Sequence, residues 1–313
     1  MPFRYLFGPV ASRRFGRSLG VDLLGQRICS FNCVFCEAGP TQTCTMMRGS
    51  YVPTDAVVAE LRAWLDSGGA ADVITLAGRG EPTLHRQFGV VIDAIHNMCA
   101  IPVVLLSNGS LFGLGEVREA AARADIVKVS LSGWDDASMA NVNRPASGLT
   151  FDAYLSGMIA FREEFRGELR LEVMFVDGVN TADDCVTKLA ACAAKIRADR
   201  IELNTVVRPP SEAGTGAVSE DVLHRYAVYF GPQAVVIGCS GEAAPASDNA
   251  GDILSLSEQI IGLLARRGCT RNEIAMGVGC PFGRLESCLQ ILTKQGRIEK
   301  APERPDYYRL VSG

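Results

Sequence analysis

The stretch Asp72-Val-Ile-Thr-Leu-Ala-Gly-Arg-Gly-Glu-Pro-Thr-Leu-His85 decides the fold. Its first six residues are a short apolar run with β-branched side chains. A Gly- and Pro-containing turn follows, and from position 85 apolar residues recur at helical spacing as far as Met98. This is one strand–loop–helix unit, and the same unit repeats on both sides of it. Strands are predicted over 19–24, 72–77, 102–107, 126–131, 169–176 and 200–206. Helices are predicted over 54–67, 85–98, 115–123, 151–164 and 182–196, several entered through an Asp, Thr or Ser able to cap. Several strands are near-continuous apolar runs, as strands covered on both faces are, so the sheet is read as parallel with crossover helices. Six such units form either a partial (βα)6 TIM-type barrel or an open doubly wound sheet. Periodicity does not choose between them, and in both the ligand lies at the C-terminal strand ends.

After position 207 the pattern changes. Pro209, Pro210, Pro232 and Pro245, with repeated Gly, Ala and Ser, mark a connecting region that holds a helix near 219–230 and a strand at 234–237. Three closely spaced helices follow at 257–267, 271–278 and 281–295, then strands at 297–300 and 307–311, the order of a winged helix-turn-helix. The expected organisation is an α/β core over 1–210, a connecting segment over 211–251 and a winged helix-like domain over 252–313. This division predicts that removing 252–313 leaves cofactor chemistry in the core intact. Residues 252–313 carry nine Lys/Arg against seven Asp/Glu, a weak electrostatic footprint for nucleic acid, and winged helices also serve protein docking and structural roles.

The chain of 313 residues is 48% hydrophobic and 21% charged, which places it among folding chains and not disordered ones. No apolar run approaches the roughly 20 residues that span a bilayer, and the N-terminal residues do not read as an export leader. A cytoplasmic protein with no membrane association is expected. Its net charge of −4 excludes a surface coated with basic residues for sequence-independent nucleic-acid binding. In a reducing compartment, eleven cysteines raise the prospect of metal chemistry.

Cys29-Ser-Phe-Asn-Cys33-Val-Phe-Cys36 places three thiols within eight residues, in a loop after the first predicted strand. Three thiolates hold three irons of a [4Fe–4S] cube and leave the fourth open to an exchangeable ligand. A structural zinc site wants four closed ligands, and Cys44 is available as the fourth. Cys185 and Cys192 share a helix face, and Cys269, Cys280 and Cys288 are spread over the C-terminal region; all five read as small core residues. His85, His96 and His224 show no ligand spacing.

The three-cysteine spacing, with aromatic Phe35 before the last cysteine, resembles the radical S-adenosylmethionine superfamily. Gly80-Glu81-Pro82 is similar to that superfamily's Gly-Gly-Glu-Pro turn, with Arg79 where the first glycine usually stands. The segments from Gly8 to Asp22 and Leu76 to His85, Ser107-Asn-Gly109, Asn143-Arg-Pro145, and Asn204 to Pro210 resemble a bacterial subgroup related to wyosine-type tRNA-modifying enzymes. Two departures stand out. No cysteine precedes Cys29 to bind the second cluster of the wyosine enzymes, and Gly133 follows Ser132 where relatives often carry an acidic residue.

The resemblance implies a [4Fe–4S] cluster on Cys29, Cys33 and Cys36, and cleavage of S-adenosylmethionine to a 5′-deoxyadenosyl radical. It also implies a one-electron reductant such as flavodoxin or ferredoxin, and an RNA base, tRNA or another macromolecule or small molecule as substrate. Gly80 and Glu81 would meet the cosubstrate's amino end; Asn108, Ser130 and Asn204 would lie near its carboxylate, ribose or adenine. Each also has a structural reading as turn former, cap or backbone partner. Glu172, inside the fifth strand, is read as a functional carboxylate pointing into the barrel, with pairing to a buried cation as the alternative. Arg13, Arg14, Arg17, Arg144 and Arg208 are candidates for substrate phosphate or carboxylate, or for salt bridges. An iron–sulfur-sensing nucleic-acid-binding regulator and a zinc-stabilised binding protein are the competing functions. Neither needs a cosubstrate cradle.

Overall fold

The computed structural model describes residues 3–237, 253–265, 267–278, 280, 282–302 and 304–311. Most of the latter part of the connecting segment, 238–251, lies outside them. In chain order the N-terminal part runs β1 (Leu6–Ser12), β2 (Gly16–Val21), β3 (Ile28–Cys29), β4 (Thr43–Cys44), α1 (Thr54–Asp66), β5 (Val73–Leu76), α2 (Phe88–Met98) and β6 (Val103–Leu106). It continues through α3 (Gly115–Ala121), β7 (Ile126–Ser130), α4 (Asp136–Val142), α5 (Phe151–Glu164), β8 (Glu168–Phe175), α6 (Asp183–Ile196), β9 (Arg200–Thr205), α7 (Glu220–Phe230) and β10 (Ala234–Val236).

One eight-stranded sheet has the order β1-β2-β5-β6-β7-β8-β9-β10. Every neighbour from β2 to β10 is parallel, whereas β1 pairs antiparallel with β2. Strand order follows chain order without a reversal. A doubly wound sheet requires a switch point where the order turns back, so the two sequence alternatives resolve to a partial TIM-type barrel. The six expected strands are found within one to three residues of their expected ends.

Besides short two-residue strands, two longer elements escaped the sequence reading. β1 contains Gly8-Pro9, and a proline confines a strand to an edge or a bulge. The strand is an edge strand, with a register shift between Phe7 and Val10. α4 is only seven residues long but begins with a capping box: Asp135 accepts the Ser138 backbone N–H at 2.7 Å, and Ser138 Oγ accepts the Asp135 N–H at 3.0 Å. The Asp135-x-x-Ser138 spacing was a visible signal for it.

The C-terminal unit runs α8 (Ile253–Leu264), β11 (Cys269–Thr270), α9 (Arg271–Val278), α10 (Phe282–Lys294), β12 (Ile298–Ala301) and β13 (Arg304–Leu310). Its strands form an antiparallel sheet in the order β11-β13-β12. Ile260, Leu263, Ile274, Leu285, Leu289 and Leu292 are buried in one cluster with Val10 of β1, and Phe7 packs against it. The unit therefore shares an apolar seam with the barrel's first strand and is not a detached bead. Cys269, Cys280 and Cys288 are buried in the same cluster, matching their reading as core residues.

Candidate active site

The lower barrel is filled by ions. Lys128 on β7, Glu172 on β8 and Glu202 on β9 meet Arg14, which enters from the turn between β1 and β2. Lys128 Nζ lies 2.6 Å from Glu172 Oε2, Arg14 bonds Glu172 Oε1 and stands 2.7 Å from Glu202, and Asn204 donates to Glu172 Oε1 at 3.0 Å. The two cations hold the Glu172 carboxyl far below the usual carboxylate range, against the opposing effect of burial. The expectation of a functional Glu172 is thereby corrected: its carboxylate is already neutralised by Arg14 and Lys128. The arginines kept in reserve for substrate are also engaged, Arg17 with Asp72, Arg144 with Glu212, and Arg208 with Glu37 and Glu273.

At the opposite end, the C-terminal strand ends frame the cysteine loop. Cys29 ends β3 and pairs in register with the exposed Cys44 on β4; Cys33 and Cys36 follow in a turn where the Cys36 N–H bonds the Cys33 carbonyl at 3.2 Å. Asn108, just past β6, donates its side-chain amide to Cys29 Sγ at 3.5 Å and to Ser30 Oγ at 2.8 Å. Asn143 donates to Cys33 Sγ at 3.3 Å. Burial pushes all three thiols up, Cys33 to about 12.

The Gly80-Glu81-Pro82 turn is locked to this loop. Glu81 N–H bonds the Ile28 carbonyl at 3.1 Å, and a Cβ on Gly80 would stand 1.7 Å from the same oxygen, so only glycine permits the approach. The buried Glu81 carboxylate accepts from Thr83 N–H (3.0 Å), Thr83 Oγ (2.6 Å), Ser107 Oγ (2.8 Å) and Asn108 N–H (2.6 Å). Burial raises its pKa against the effect of these donors. Arg79 turns away from the loop towards Asp22, 3.4 Å distant, and the Gly25 carbonyl. Gly133 has its own reason: a Cβ there would lie 2.7 Å from the Met139 N–H nitrogen at the start of α4.

Of the expected residues, Gly80, Glu81, Asn108 and Cys29 are joined by direct contacts. Tyr154 of α5 connects Ser130 to this group, its hydroxyl donating to the Asn108 carbonyl at 3.1 Å and to the Ser130 carbonyl. Asn204 lies deeper, on Glu172, and its Oδ1 is buried without a hydrogen-bond partner, as is Ser132 Oγ. Sequence reasoning missed the contacts of Ser107 and Asn143 with this region, although both lie within motifs it had singled out. Asn143-Arg-Pro145 proves to be a backing strip for the cysteine loop: Asn32 N–H bonds the Asn143 carbonyl at 2.9 Å, and Ala146 N–H bonds the Ser30 carbonyl at 2.8 Å.

Three unoxidised thiols, two of them receiving amide donors, are the soft donor set an iron–sulfur cluster takes, and hydrogen bonds to its sulfurs are how a protein tunes one. The residues present fit such a group. Among the described residues, no group of three or more His, Cys, Asp or Glu side chains closes on a single-ion position, and a structural zinc takes four such ligands. Among the same residues no helix is long and apolar enough to cross a membrane.

Comparison with known proteins agrees with this geometry. Residues 23–187 match the Radical SAM superfamily model. The chain is 34% identical over 209 residues to the UPF0026 protein slr1464 of Synechocystis sp., covering 66% of this chain and 77% of that one. It is 31% identical over 299 residues to a Brachyspira hyodysenteriae protein named GTPase Obg, covering 94% of this chain but spanning only 43% of that protein. This chain contains no Gly-Lys pair of the kind a P-loop needs. A structure of TYW1 with a lysine-pyruvate adduct bound shares the fold, with TM-score 0.53 and 16% identity over 72% of this chain and 75% of that one.

Proposed function

We propose, for a chain that belongs to the radical SAM superfamily and within it to the UPF0026 proteins, that Cys29, Cys33 and Cys36 hold a [4Fe–4S] cluster at which S-adenosylmethionine is cleaved. Members of the superfamily bind this cluster and this cosubstrate, and generally need a one-electron reductant. When bound, the cluster supplies the electron that opens the sulfonium, giving methionine and a 5′-deoxyadenosyl radical. Every other task falls to the chain.

The observation that carries the reading is the convergence of the three thiols with the Gly80–Glu81 turn and Asn108 on one end of the barrel. Glu81 fixes the turn through four donors, which leaves the backbone around Gly80 to meet the cosubstrate's amino group. Asn108 and Ser130 lie at the strand ends where carboxylate and ribose would rest, and Asn204, deeper on Glu172, is assigned to the adenine side. The unpartnered Asn204 Oδ1 is an acceptor of the kind an adenine amine satisfies. The domain division at 210 and 252 belongs to the same proposal, with the C-terminal unit as a winged helix that presents an RNA base or other macromolecular substrate, in a cytoplasmic enzyme reduced by flavodoxin or ferredoxin.

After anaerobic loading with iron and sulfide, reduction and addition of S-adenosylmethionine, chromatography should detect 5′-deoxyadenosine from the wild-type chain and none from Cys33→Ala. Equal cleavage in the variant would refute the ligand assignment. A sensing role is the second reading, favoured by the ion pairs that tie the C-terminal unit to Glu37 beside Cys36. It predicts a loaded cluster without cleavage.

A further inference from the structure

One buried ionic group takes no part in the proposed chemistry. Glu37, next to Cys36, accepts from Arg208 Nη1 at 2.7 Å, and Arg208 Nε and Nη2 both donate to Glu273 Oε1 on α9, at 3.2 and 2.7 Å. Arg267, just before β11, stands 4.0 Å from Glu37 and 3.9 Å from Glu273. The Arg208 side chain is only 8% exposed, so its charge is set between the two carboxylates and not spent on solvent.

The backbone beside Arg208 is held from both sides. Arg304 on β13 donates to the carbonyls of Val207 at 3.2 Å and Val206 at 2.7 Å, and Tyr307 donates to Val207 at 2.9 Å. Three residues beyond Arg208, Ser211 Oγ donates to the carbonyls of Cys33 at 2.7 Å and Val34 at 2.9 Å, and Glu212 N–H bonds the Val34 carbonyl at 3.1 Å. The C-terminal unit therefore grips residues 206–208, and the same strap grips the cysteine turn.

We propose that Arg208 is a positioning residue through which docking of the C-terminal unit sets the geometry and electrostatic environment of the Cys33–Cys36 turn, and with them the cluster's redox potential. This rests on the reading of the cysteines as cluster ligands. Glu273→Gln is the decisive variant. Thr270 N–H donates to Glu273 Oε2 at 2.9 Å and Glu273 N–H to Thr270 Oγ1 at 3.2 Å, a capping box in which glutamine also serves, so the helix start survives while the carboxylate charge is lost. Loss of that negative charge and looser packing both favour the reduced cluster, by leaving excess positive charge and by admitting solvent.

The experiment is hydrogen–deuterium exchange on the full chain, read at residues 33–37, with an EPR-monitored redox titration of the loaded protein. Glu273→Gln should lose amide protection in this segment and shift the midpoint potential to more positive values. Arg208→Lys, which keeps the charge but loses the fork, should lose protection with a smaller shift. Unchanged protection in both variants overturns the proposal, and lost protection with an unmoved potential overturns its electrostatic half. A wild-type chain that takes up no cluster defeats the reading of the cysteines instead, and exchange still decides whether the latch exists.

Discussion

Asn143 shows how a single side chain tunes the site. Its amide donates to Cys33 Sγ, and a donor to a cluster sulfur stabilises the reduced, more negative state. Asn143→Ala should therefore leave iron content near the wild-type value and move the midpoint potential to more negative values; a redox titration checks both. Gly80→Ala is a steric matter, because the new methyl would meet the Ile28 carbonyl at 1.7 Å and the turn has to move. A stability loss of about 1–3 kcal/mol, read by thermal unfolding and accompanied by poor cluster loading, is expected. Glu172 gives the pH dependence. Its folded pKa is depressed, so its stabilisation is fully present above the unfolded carboxylate pKa and is lost as pH falls through the lower folded value. Glu172→Gln should cost about 3–5 kcal/mol at neutral pH, and the gap to wild type should close on acidification in denaturant titrations. The Cys29, Cys33 and Cys36 cluster of thiols was legible because a three-cysteine loop is local in sequence. The partners of Glu172 were not, because Arg14 comes from 158 residues away.

Elements depend on joints as much as on their own propensity. Tyr154 of α5 ties together the ends of β6 and β7 through the carbonyls of Asn108 and Ser130, and its ring meets Phe31 edge-on at 5.7 Å. Tyr154→Phe keeps the ring and removes the hydroxyl, so a loss of about 1–2 kcal/mol is expected, with the cluster signal broadened where Asn108 contacts Cys29; a sharp wild-type signal at full stability would contradict this role. The barrel strands were readable because both their faces are buried and their apolar runs are continuous. β1 was hidden by its proline, and α4, only seven residues and about two turns long, by the brevity of its apolar pattern. The capping box before α4 carried more information than its hydrophobicity did.

At the scale of the molecule, chain-order strand pairing turns six repeating units into a partial barrel, a choice that periodicity alone could not make since it contains no information about neighbours. The C-terminal unit looked separable for a related reason: a change of pattern marks a boundary but is silent about contacts across it. Val10 and Phe7 on β1 pack into its core, and Arg208 joins it to Glu37. Deletion of 252–313 should therefore lower cluster content and expose apolar surface, contrary to the sequence expectation; a truncated chain with full iron would show that these contacts are dispensable. The central claim is a cluster with three protein ligands and one open iron at the barrel's C-terminal end. Mössbauer spectroscopy of the iron-57-loaded protein, with and without S-adenosylmethionine, tests it most directly. The account predicts a [4Fe–4S] spectrum in which one iron becomes distinct from the other three when the cosubstrate is added. A cluster whose irons are all indifferent to S-adenosylmethionine, or a wild-type chain that assembles no [4Fe–4S] cluster, would contradict it.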